Sequence, residues 1–262
     1  MTDARDQSSK TAAPGKGAAV VAAHAVLGYA GQPVLNGLEF EIPKGTRVGV
    51  LGPNGGGKTT LFRALLGEIS PLSGSLTANA TTATVAQTDR SRLDYPVSAL
   101  DVAVMGSLAR LPWWKRPGRA ERRRALEALG KVGLEDQAKT SFGDLSGGQR
   151  QRVLIARALT AEAEILLMDE PFTGLDNKSE ARLESLIDEL ASSGHTVLIA
   201  THEVEQAARW DLVLCLNETQ ISFGDPAASL SKPVLEATYG GHIVEIPGQP
   251  ALGVLPAHHH HH

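Results

Sequence analysis

The chain has 262 residues, 25 Lys plus Arg against 29 Asp plus Glu for a net charge of −4, 42% hydrophobic residues and a single cysteine. That is enough chain for one large α/β domain with a substantial core. The acidic balance argues against a dedicated nucleic-acid binder, and the lone Cys215 excludes an internal disulfide and fits a reducing compartment.

Residues 1–17 are polar, without the apolar centre of a signal peptide, and read as a disordered lead. From Val20 to Gln87 short apolar strands alternate with turn residues. Arg47-Val-Gly-Val-Leu51 is then followed by a glycine loop and a helical pattern from Thr59 to Gly67, the opening of a phosphate-loop α/β core. Strand signals stop between about Pro96 and Ala163, where helices are expected near Val97 to Arg110, Arg119 to Val132 and Gln149 to Ala161. Alternation resumes with a strand at Ile165 to Met168, a helix at Asn177 to Ser193, a strand at Thr196 to Ala200 and strands near Leu212 to Leu216 and Gln220 to Phe223. The expected organisation is a mostly parallel core over 18–87 and 164–240, interrupted by a helical lobe over about 88–163. A tail over 241–257 is either a terminal strand or mobile, and His258 to His262 form a purification tag. The apolar runs are far shorter than the roughly 20 residues that span a bilayer, so no transmembrane segment is expected.

Gly52-Pro-Asn-Gly-Gly-Gly-Lys-Thr59, followed by Thr60, fits G-x-x-x-x-G-K-[ST] and lies between an apolar strand and a helix. Glycines at 52, 55, 56 and 57, with Pro53 and Asn54, let successive backbone N–H groups turn toward phosphates, and the next helix adds its positive end. Lys58 supplies a charge to the phosphates of ATP, and Thr59 a hydroxyl to Mg²⁺. The strand Ile165-Leu-Leu-Met-Asp-Glu170 ends in two carboxylates: Asp169 is expected to hold Mg²⁺, and Glu170, on the other side of an extended chain, to act as the base for the attacking water. Leu145-Ser-Gly-Gly-Gln149 is a second glycine loop, and Ser146, Gly147 and Gly148 offer a hydroxyl and N–H groups at a helix start.

Leu145-Ser-Gly-Gly-Gln149, followed by Arg150-Gln-Arg152 and standing about twenty residues ahead of the acidic strand, resembles the signature of ATP-binding cassette proteins. The resemblance runs from about Val20 to Tyr239. It implies a P-loop core with an N-terminal antiparallel β portion and an inserted α-helical lobe, ATP and Mg²⁺ as cofactors, and a head-to-tail homodimer. There Ser146, Gly147, Gly148, Gln149 and Asp176 of one copy contact the partner's ATP. It also implies roles for Tyr29 (adenine stacking), Gln87 (Mg²⁺ and water) and His202 (γ-phosphate). His24, His195 and His242 match no family position.

With one cassette and no expected span, the chain resembles the ATPase subunit of an importer working with separate membrane permease subunits and an external substrate-binding protein, at the inner face of the plasma membrane. The wording of the phosphate loop, of Asp94 to Gly106 and of Thr238 to Gly241 is most similar to manganese and zinc importer cassettes, with iron chelates next. A soluble non-transport cassette ATPase is the other class, but neither a second cassette nor a long coiled-coil insertion is present. Two features are open. Trp113-Trp114, with Tyr95 to Ser98 and Leu100 to Gly106, lies in the region that in importers of this kind forms a groove for a short cytoplasmic helix of the permease, and the pair either packs onto the lobe or is exposed apolar surface. The run with Lys115, Arg116, Arg119, Arg122, Arg123 and Arg124 is either a solvated helix face or lies near anionic lipid heads.

Overall fold

The computed structural model describes residues 17–85 and 96–240, and the backbone of Ile243–Glu245 and Leu252–Val254. The N-terminal lead up to residue 16, Gln87, Asp94, Tyr95, His242 and the terminal histidines lie outside the described residues.

Two long strands, β1 (Ala18–Tyr29) and β2 (Gln32–Pro43), pair antiparallel through a tight turn, and β4 (Ser73–Ala78) adds to the other edge of β1. The main sheet is built from β3 (Arg47–Leu51), β5 (Thr82–Val85), β6 (Ile165–Asp169), β7 (Thr196–Thr201), β8 (Leu212–Leu216) and β9 (Gln220–Gly224), in the order β5-β6-β7-β3-β8-β9. Its pairings are parallel up to β8, and only β9 runs antiparallel. Period-2 alternation explains why these strands read as unbroken apolar runs: both faces are covered. Val48, Val50, Leu167, Leu198 and Leu214 face one core with the antiparallel sheet and α1 (Lys58–Leu65). Leu166, Met168, Val197, Ile199 and Val213 face the other, with the helices that follow.

Those helices are α2 (Ala99–Met105), continued as a 3₁₀ turn over Gly106–Ala109, α3 (Arg119–Lys131), α4 (Gly147–Thr160) and α5 (Asn177–Ser192). The first helix is therefore shorter than expected from Val97 to Arg110. It tightens at Gly106, where a Cβ would stand 1.9 Å from the carbonyl oxygen of Arg157 on α4, so the close approach of the two helices admits only glycine. α4 begins two residues before the expected Gln149, because Ser146 and Gln149 form a reciprocal capping box that draws both glycines into the first turn. Short helices α6 (Val204–Ala207), α7 (Pro226–Ser229) and α8 (Lys232–Tyr239) complete the core. In the tail, β10 (Ile243–Glu245) and β11 (Leu252–Val254) pair as an antiparallel hairpin, which favours strand over mobile tail for those two segments. At the foot of β3, Arg47 bridges Asp211 (Nη2 to Oδ1 2.7 Å, Nε to Oδ2 3.1 Å) and Asp188 (2.5 Å), tying the central strand to β8 and α5. Cys215 is fully buried on β8, which pushes its thiol pKa up.

Candidate functional site

A cleft of about 360 Å³ opens at the carboxyl ends of β3 and β6, lined by Pro53, Asn54, Gly55, Gly57, Lys58, Thr59, Thr60, Asp169 and Glu170. This is where an open α/β sheet binds ligands. Gly56 N–H closes the loop on the Pro53 carbonyl at 3.0 Å, and Gly57, at φ 100°, caps α1 without a side-chain hydrogen bond. The first N–H groups of α1 thus face the cleft without a side-chain acceptor, as an anion site requires. Gly52 approaches so closely that a Cβ would meet the Leu216 carbonyl oxygen at 2.2 Å. At Gly57 a Cβ would lie 2.4 Å from Leu35 Cγ on top of an unfavourable φ. Gly57→Ala is therefore expected to destabilise the fold by about 2 kcal/mol or more and to weaken ATP binding. Denaturant unfolding beside nucleotide titration checks this, and an unchanged midpoint would contradict the packing of Leu35 against the loop.

Lys58 Nζ donates to the carbonyls of Gly52 (2.5 Å) and Pro53 (3.0 Å), so the ammonium is held over the loop. Burial lowers its pKa, while Glu170 and Asp169 oppose that shift. Burial raises the pKa of Asp169, Glu170 adds to the rise, and Lys58 offsets part of it. Two desolvated opposite charges that only partly satisfy each other fit a site completed by further charge. The Thr59 hydroxyl and the Asp169 carboxylate are hard oxygen donors suited to Mg²⁺, and they line the same cleft as the N–H groups that suit a polyphosphate. Thr59 and Asp169 would hold that ion, and its charge would there offset the charge of the phosphates.

Glu170 is not in the extended conformation expected for it. The strand ends at Asp169, and Glu170 adopts φ 44°, a left-handed conformation costly for a non-glycine residue and more so before Pro171. Three contacts hold it there: its N–H donates to Ala200 O at 2.9 Å, Thr173 Oγ1 donates to Oε2 at 3.2 Å, and His202 Nδ1 stands 3.2 Å from Oε1. A carboxylate only accepts, so His202 Nδ1 carries the proton. The strained turn aims the carboxyl into the cleft beside Lys58, where a base for water is needed. Thr173 was missed by sequence reasoning. Its signal was a hydroxyl three residues after the acid, in a turn opened by proline.

Tyr29 sits at the cleft rim, its hydroxyl 3.4 Å from Thr60 Oγ1 and its ring centroid 6.0 Å from the Arg63 guanidinium carbon, with the ring part exposed. Gln87 lies outside the described residues. Ser146, Gly147, Gly148, Gln149 and Asp176 are elsewhere, and none of them lines the cleft. Ser146 Oγ accepts from Gln149 N–H at 3.3 Å, Gln149 Oε1 accepts from Ser146 N–H at 2.8 Å, and Gln149 Nε2 reaches Gln137. The Ser146 hydroxyl proton is left uncommitted by these bonds. A Cβ on Gly147 would touch Leu175 at 3.6 Å and one on Gly148 would meet Ser179 at 2.7 Å, so the glycine loop abuts the start of α5. There Asp176 caps α5, accepting from the N–H groups of Lys178 and Ser179 at 3.0 Å each and from Ser179 Oγ at 2.8 Å, which holds its pKa down.

The ABC transporter family pattern matches residues 35–173, which takes in the glycine loop, the signature and the acidic strand. The chain belongs to the ABC transporter family. As a cassette of that family it binds and hydrolyses ATP. It is 38% identical over 224 residues to the manganese transport system ATP-binding protein MntB of Bacillus subtilis (strain 168), covering 82% of this chain and 90% of that one. It is 36% identical over 226 residues to the zinc transport system ATP-binding protein TroB of Treponema pallidum (strain Nichols), covering 83% and 85%. Among solved structures, a metal-chelate type ABC transporter in an inward-facing conformation superposes on the cassette with a TM-score of 0.80, 31% identity and coverage of 89% of this chain and 93% of that one. Among the described residues of the cassette, no helix is long and apolar enough to cross a membrane.

Proposed function

We propose that the cassette powers import of a divalent metal ion, manganese or zinc, by hydrolysing ATP beneath separate permease subunits at the cytoplasmic face of the membrane, with an external binding protein delivering the ion. The cleft geometry supports the chemistry. Lys58 and the N–H groups of Gly55 and of Gly57 to Thr60 would hold the phosphates, and Thr59 and Asp169 would hold Mg²⁺; by resemblance to the family, Gln87 joins the Mg²⁺ site and Tyr29 stacks on adenine. Glu170 takes the proton of the attacking water, and His202, hydrogen-bonded to Glu170, orients that carboxylate and faces the γ-phosphate.

One observation supports the assembly: the chain has two glycine loops at helix starts, and only the first lines the cleft among the described residues. Ser146, Gly147, Gly148, Gln149 and Asp176 of one copy therefore close the cleft of the other in a head-to-tail homodimer, and each ATP needs both chains.

The ion is supported by likeness to the manganese and zinc transport proteins. Likeness to the chelated iron transport system membrane protein YfeB of Yersinia pestis keeps iron chelates as the second reading. Uptake by vesicles that hold the cassette with its own permease tests it. Manganese or zinc should accumulate only with ATP inside the cassette-bearing compartment, and uptake should vanish with Glu170→Gln. Accumulation of an iron chelate in place of either free ion would overturn the assignment of cargo, and a hydrolysis rate that neither the permease nor its binding protein changes would favour a soluble ATPase.

A further inference from the structure

Pro112 to Lys115 form a tight turn, closed by Lys115 N–H donating to Pro112 O at 2.8 Å. Its two central residues are Trp113 and Trp114, 92% and 71% exposed. Turn tips favour Gly, Asn, Asp, Ser and Pro, so two tryptophans there serve neither the turn nor the core. Their rings touch only edge to face, with centroids 5.7 Å apart, and Met105 and Leu108, on the segment leading into the turn, are also exposed.

Directly after them come Lys115, Arg116, Arg119, Arg122, Arg123 and Arg124 against one acid, Glu121. A chain of net −4 that holds this +5 run carries −9 everywhere else, so the charge is concentrated on one edge. Helix formation does not ask for it. Four of the arginines occupy the first two turns of α3, the positive end of the helix dipole, where acidic residues are the stabilising choice. Arg122, Arg123 and Arg124 are paired with Asp101, Glu127 and Glu162. Lys115, Arg116 and Arg119, nearest the tryptophans, are exposed and have no ion pair among the described residues.

We propose that the Trp113-Trp114 turn and the adjoining Lys115, Arg116 and Arg119 dock on an anionic lipid surface. Indole rings are amphipathic and settle at the level of the headgroups. A pair of exposed indoles at a turn tip beside exposed cations matches a bilayer surface, where each cation strengthens binding about fivefold. The contact would orient an otherwise acidic protein, setting this edge of the helical lobe against the membrane. It does not depend on which ion is transported.

The test uses the full chain at pH 8, which keeps the terminal histidines neutral, with phosphatidylcholine vesicles with and without phosphatidylglycerol. The chain should sediment with the anionic vesicles at low salt and release as salt rises. Spin-labelled lipid should quench tryptophan emission; Trp210, 6% exposed, is the internal reference. Trp113→Ala/Trp114→Ala should abolish quenching, and Lys115→Gln/Arg116→Gln/Arg119→Gln should weaken anionic binding on the order of 100-fold. ATP hydrolysis in solution should stay unchanged in both, which shows that they fold. The proposal fails if the chain binds neutral and anionic vesicles equally, if either variant binds like the parent, or if the tryptophans become shielded only when permease is added in lipid-free detergent.

Discussion

Glu170→Gln should keep ATP and lose its turnover by about 10²- to 10⁴-fold, the range associated with removing a general base. The amide matches the carboxylate in shape, so the left-handed turn, the Ala200 contact and the hydrogen bond from Thr173 can all persist. What goes is the basic oxygen. An amide does not take a proton from water near neutral pH, and a neutral side chain in front of His202 removes the charge that orients the imidazole. Phosphate release measured beside nucleotide affinity separates the two effects. Near-normal release would remove Glu170 from the chemistry, and a lost affinity would show that the turn had collapsed.

Ser146→Arg should abolish hydrolysis while leaving the protein's own cleft able to bind ATP. Ser146 lies outside that cleft, so the phosphate loop, Lys58 and Asp169 keep their places. Two local costs follow from the substitution. The helix α4 loses its N-cap, worth about 1 kcal/mol, and a long side chain fills the space before Gly147 and Gly148 where the proposed pairing puts a partner's phosphate. Equilibrium binding of a fluorescent ATP analogue, beside steady-state turnover, distinguishes this from general unfolding. If Ser146→Arg turned over ATP normally, the second glycine loop would have no part in the reaction.

The phosphate loop was legible because its chemistry is local: glycines, a lysine and a hydroxyl in one short stretch between a strand and a helix. The acidic strand was legible for the same reason, but the conformation of Glu170 was not. Its φ depends on Ala200, Thr173 and His202, and the two most distant of these reach it through the β6-β7 pairing. Runs of apolar residues marked the parallel strands, yet nothing in them gave the order β5-β6-β7-β3-β8-β9, which places β7 between the two strands that carry the site. The start of α4 could have been found. Ser146-Gly-Gly-Gln149 is a capping box, and its two glycines were weighed as loop. The break at Gly106 could not, because it answers a contact with Arg157 far along the chain. The bulge at His24, with φ 46°, is likewise set by pairing of β1 with two different strands.

The proposed composite site, built from two copies of this chain, is tested most directly by light scattering on Glu170→Gln with and without Mg-ATP. The mass should double when ATP is added, because closed pairs form and cannot hydrolyse their way apart, and the same protein carrying Ser146→Arg should stay at the mass of one chain. If ATP leaves Glu170→Gln monomeric at concentrations where the parent protein hydrolyses at full rate, the head-to-tail pairing is wrong.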